Sequence, residues 1–176
     1  MTTPNPFAPR PPVDPDELLM SGGSTTANFP LIGQSYTGVV KAKRSQQRRD
    51  MKDNSLLFWD DGNPQMQIVA DLQCEPLGYK MDKKGNRTPF PEDDGMRSLY
   101  IFGRMRTAVR DAVRETGAPT IEIGGKLTVT YTGDGEVPGK GMDPPKLYSA
   151  AYVPAGQAAA DGELMADGKA ENPFAD

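Results

Sequence analysis

The chain has no histidine. That absence removes Ser/His and Cys/His nucleophile pairs, imidazole acid–base chemistry and histidine metal ligands together. The expectation is a protein that is not an enzyme and needs no cofactor. Cysteine is almost as scarce: Cys74 stands alone, which excludes an internal disulfide and fits a reducing compartment. Nothing approaches an apolar run of about 18 residues, and no basic-then-apolar leader opens the chain, so neither a membrane span nor a secretory signal is expected. The expected location is the cytoplasm. Aromatics make up only 7% of the 176 residues, with a single Trp, so the places where they cluster carry information.

Charge is unevenly spread. Residues 1–29 hold one base and three acids, 30–154 hold 18 bases and 16 acids, and 155–176 hold one base and five acids. A nearly neutral body between acidic ends says more than the net charge of −4. Residues 1–29, rich in Pro, Gly, Ser and Thr, and residues 155–176, rich in small and acidic residues, cannot bury enough surface to offset their ordering entropy. Both are expected to be disordered tails around a body at 30–154.

Within the body, Arg97 to Phe102 alternates as a strand. Met105, Ala108, Val109, Ala112 and Val113 then draw one apolar stripe along a helix at 104–116, which Gly117 closes and Pro119 stops. Further strands are expected at 31–43, 65–73, 125–132 and 146–153. Gly38, inside the first, marks a bend or bulge. One helix cannot cover both faces of a sheet, so the strands are expected to curl into a small barrel that the helix plugs. Five strands with the helix between the third and fourth is the order of an OB-fold, a Greek-key barrel. The long segment 75–96 reads as a binding loop or as disorder.

Bases and rings gather in two places. Lys41, Lys43, Arg44, Arg48, Arg49 and Lys52 stand against one acid, Asp50, just before the lone Trp59. This reads as a basic finger with an aromatic tip, or as a solvated hairpin whose Leu56–Trp59 stretch returns to the core. On the third strand Tyr100 and Phe102 share a face, Arg97 and Arg104 stand at the ends, and Leu99 and Ile101 face the core. Lys140, Lys146 and Tyr148 add to the set from the last loop and strand. Stacked rings grip bases without sequence preference and cations neutralise phosphates. Arg106, Arg110 and Arg114 read as a solvated helix face. The pairs Asp60-Asp61 and Asp93-Asp94 admit a Mg²⁺-dependent nuclease, although both lie in turn contexts where Asp serves the backbone.

The ordered blocks LIGQSYTGVV, FWDDGNPQMQIVADLQ, RSLYIFGRMRTAVRDAV, GGKLTVTYTGDGE and PPKLYSAAYVP resemble those of single-stranded-DNA-binding-like proteins of actinobacterial phages, across roughly 30–154. The resemblance implies an OB-fold that binds and protects single-stranded DNA during replication or recombination, in the host cytoplasm for a phage-encoded chain. Bacterial single-strand-binding proteins end on Pro-Phe, whereas Pro173-Phe174 here is followed by Ala175-Asp176. The segment Asn172, Pro173, Phe174 repeats the NPFA of Asn5 to Ala8 and is expected to dock replication or recombination partners. The alternative is a structural or protein-interaction barrel that recruits through these tails. A small barrel can also pair through an edge strand, so both a monomer and a homo-oligomer fit. The acidic tail is expected to cover the basic groove at low salt: deleting 155–176 should tighten single-strand binding below ~50 mM salt, measured by titration.

Overall fold

The computed structural model describes residues 25–158. The elements in order are β1 (Thr25–Thr26), β2 (Ser35–Gln47), β3 (Met66–Cys74), β4 (Tyr79–Met81), β5 (Arg87–Pro89), β6 (Met96–Ile101), α1 (Gly103–Glu115), β7 (Lys126–Asp134) and β8 (Lys146–Val153). The fold is mainly β. Six strands form one sheet in the order β1-β6-β3-β2-β7-β8, and β4-β5 is a separate hairpin. All pairings in the large sheet are antiparallel except that of β1 with β6.

The expected strands are present, each displaced by four residues or fewer, with the helix between the third and fourth of the long ones. The expected closed barrel is not seen: among the described residues the hydrogen-bonded ladder runs from β1 to β8 without joining its ends. Residues 25–29, assigned above to a tail, are part of the body. Thr25 and Thr26 pair with Arg97 and Ser98, and Ala27 and Phe29 are buried in the core. Phe29 meets the Tyr148 ring edge-on at 5.4 Å, and its carbonyl accepts from Lys146 Nζ. The segment therefore bridges β6 to β8 partly by side chains, across the gap where ladder bonds are missing.

β2 is long because it serves both halves of the sheet, pairing Ser35–Val39 with β7 and Gly38–Gln47 with β3. Where the two pairings overlap, a Cβ on Gly38 would lie 2.8 Å from both Cys74 Sγ and the Gln73 carbonyl oxygen. Only glycine permits that approach. The register then slips between Val40 and Ala42, a bulge in which Lys41 has no partner on β3 and the facing of the strand reverses.

Helix α1 buries Met105, Val109, Ala112 and Val113 against a core that includes Val40, Leu72, Leu99, Ile101, Leu127 and Val129. Burying each large aliphatic side chain contributes roughly 1.5–3 kcal/mol. Gly117, at φ 77°, ends the helix in the left-handed conformation and returns its N–H to the Arg114 carbonyl. No helix among the described residues is long and apolar enough to cross a membrane.

Segment 75–96 is neither an open loop nor disordered. Asp82 tightens the β4–β5 turn by accepting from the backbone N–H groups of Lys84 and Asn86. Asp93 anchors the segment's far end. Its carboxylate accepts from the N–H groups of Leu77, Gly78 and Gly95 at 2.8, 3.1 and 2.9 Å, and from both Arg97 terminal nitrogens at 2.8 and 2.7 Å. The two side chains are 1% and 2% exposed.

Candidate nucleic-acid interface

Register sets one face of the sheet. Arg44 lies opposite Val69, and Val69 lies opposite Tyr100, so the three form a row on the side away from α1. Ala42, Asp71 and Ser98 form the next row. Leu99 and Ile101 are fully buried, Tyr100 is half-buried and Phe102 is exposed. The inward and outward residues of the third long strand are thus those expected from alternation.

The finger is a folded ribbon that continues β2 and β3. Arg48 N–H donates to the Gln65 carbonyl, Leu57 N–H to Arg48 and Trp59 N–H to Asn63. Asn54 turns its tip at φ 61°. Leu56–Trp59 does not return to the core: Phe58 and Trp59 are 53% and 57% exposed. The ribbon leans toward β6, where the Arg48 guanidinium lies 4.1 Å over the Phe102 ring and also donates to Gln65. The β4–β5 turn closes in from the other side, with Lys83 Nζ donating to Met51 Sδ.

Between these walls runs a groove of about 580 Å³. Tyr100 and Phe102 form its aromatic floor, Arg49, Lys83 and Lys146 supply cations, and Tyr148 closes the end. None of its lining residues carries a carboxylate. Lys146 also stands 4.8 Å over the Tyr131 ring. A cation-lined groove with exposed ring faces can hold an anionic, π-faced polymer.

Arg49, Tyr100, Phe102, Lys146 and Tyr148 therefore meet in one groove, with Arg48 on its edge. Arg44 lies on the same face but is held by Asp71 at 2.9 Å, so a phosphate there must compete with a carboxylate. Lys41, Lys52, Trp59, Arg104 and Lys140 are exposed outside the groove lining. Lys43 is on the opposite face, reaching the Ile121 carbonyl. Arg97, expected at the binding surface, does not reach it: it shares parity with Leu99 and Ile101, is 2% exposed, and is paired with Asp93 rather than open to a phosphate. Asn172, Pro173 and Phe174 lie outside the described residues.

Lys83, Met51 and Phe29 of the groove were not singled out from sequence. The DKKGN turn flanked by Tyr79–Met81 and Arg87–Pro89 was a readable hairpin signal for Lys83. Phe29 had none, because its place depends on the gap between β6 and β8. The acidic pairs do not form a metal cluster: no group of three or more metal-binding side chains occurs among the described residues. Asp93 is fully engaged by its donors, and Asp61 caps the Asn63 N–H. Compared with known proteins, the chain matches no family model, no curated protein and no solved structure.

Proposed function

We propose that this chain binds single-stranded DNA without sequence preference and makes or breaks no covalent bond in doing so. The observation that carries the reading is the groove floored by Tyr100 and Phe102, ringed by Arg48, Arg49, Lys83 and Lys146 and free of carboxylates. Stacking on such rings contributes roughly 1–3 kcal/mol per base. The groove is open along the sheet face, so it suits an unpaired strand whose bases can splay onto it.

The strand order supports an OB-fold reading. The long strands run β6-β3-β2-β7-β8, the order of that barrel opened between its third and fifth strands, with residues 25–29 laid over the opening. On this reading the protein covers single strands exposed in replication or recombination, and its tails recruit partners.

Filter binding over a salt series tests the proposal with oligo(dT), oligo(U) and duplex DNA. Oligo(dT) should bind best, with log K falling against log salt at a slope of about −3 for four neutralised phosphates. The exposed Trp59 should be quenched on addition of oligo(dT). No binding to oligo(dT) at low salt removes the proposal, and equal affinity for duplex removes the stacking mechanism.

A further inference from the structure

A second cleft, of about 390 Å³, lies between α1 and the sheet and shares no lining residue with the groove. Its apolar floor includes Ile68, Ile101, Val113 and Ile121. Ile68 remains 36% exposed although it sits on the core-facing side of β3. Along one rim stand Arg106, Arg110 and Arg114, spaced by four residues and therefore stacked on one helix face. Arg110 has only a surface contact with Asp111 at 3.3 Å. Among the described residues Arg106 and Arg114 have no ion-pair partner.

We infer that this cleft takes the chain's own acidic C-terminal segment, with Leu164 and Met165 on the apolar floor and Asp161, Glu163 and Asp167 facing the three arginines. Residues 159–176 hold five acids and one base, opposite in sign to the rim. They also leave the body beside it. Ala155 N–H donates to Glu122 Oε2 at 3.0 Å, and the neighbouring Ile121 lines the cleft. From Ala158 to Leu164 is six residues, an extended reach of about 20 Å. Arg106 to Arg114 spans about 12 Å of helix. The segment can therefore lie along the whole rim without moving the body. This inference is independent of the nucleic-acid proposal and directs the acidic segment to a different surface.

The test compares amide spectra of ¹⁵N-labelled full chain with those of the Leu164→Ser, Met165→Ser double variant. Amides of residues 106–114 and 119–121 should shift, and those of Tyr100, Phe102 and Lys146 should stay. A second variant, Arg110→Glu with Arg114→Glu, should shift the amides of 161–167, and raising salt from about 50 to about 500 mM should do so in the parent chain. Both pairs of substitutions lie outside the described core, and preserved dispersion elsewhere reports the fold. Unmoved helix amides overturn the inference. So do shifts confined to Tyr100 and Phe102, which place the segment over the groove. Shifts that grow with protein concentration overturn it in favour of a second copy as the occupant.

Discussion

Replacing Asp93 with Ala should cost about 3–5 kcal/mol, because it leaves the Arg97 guanidinium buried with no counter-charge. The same change strips the acceptor from the N–H groups of Leu77, Gly78 and Gly95. Against a total of roughly 5–15 kcal/mol for a domain, that is a large share. The thermal midpoint should fall by about 10–20 °C. Asp93→Leu combined with Arg97→Met should recover part of the loss, since an apolar pair carries no desolvation penalty. Recovery stays incomplete because the three N–H groups remain unsatisfied. An unfolding free energy from urea titration for Asp93→Ala within about 1 kcal/mol of the parent would show that the pair is not what holds segment 75–96 to the sheet.

The same pair sets an acid limit. The Arg97 guanidinium, bonded to both carboxylate oxygens, holds the Asp93 carboxyl well below the usual carboxylate range despite its burial. A folded-state pKa below the unfolded one means the contribution is fully present above the unfolded value of about 4 and is lost as pH falls through the folded value. Stability should therefore decline below about pH 4, by up to about 1.4 kcal/mol per pH unit from this group. The decline should be smaller in the Asp93→Leu, Arg97→Met variant.

The second large effect concerns the groove. Tyr100→Ala with Phe102→Ala should weaken oligo(dT) binding by about 10²-fold or more at fixed salt, from roughly 1–3 kcal/mol of stacking per ring. The change should leave the salt slope nearly intact, because the phosphate contacts remain. Arg49→Ala or Lys83→Ala should do the reverse, with a smaller loss of affinity and a slope reduced by about 1. Tyr100→Phe keeps the ring and should retain affinity. The folds of these variants are comparable because Phe102 is exposed and Tyr100 only half-buried. If the double variant binds oligo(dT) as the parent does, stacking on this floor is not the mechanism.

Alternation made the third long strand legible, placing Leu99 and Ile101 inward and Tyr100 and Phe102 outward. The same rule put Arg97 inward too, since it is two residues from Leu99. Its charge argued for solvent, and the partner that makes burial tolerable lies four residues upstream in what reads as a loop. The stripe on α1 was equally legible. Phe29 was not, because a short segment held by one strand edge and by the rings of Tyr36 and Tyr148 leaves no periodicity. Gly38 signalled a bend or bulge, but not that the slip falls at Lys41 and reverses the facing of Lys43 and Arg44. Lys43 therefore points away from the groove that the charge of the basic arm alone suggested.

That reversal gives the finger a parity. Lengthening both arms of the β2–β3 ribbon by two residues would carry its tip about 7 Å further out. Every side chain of the body would keep its side of the sheet. Adding one residue after Ala42 would turn Arg44 inward and Lys43 outward. The reach of the ribbon can thus be changed in even steps, with the hydrophobic body left as it is.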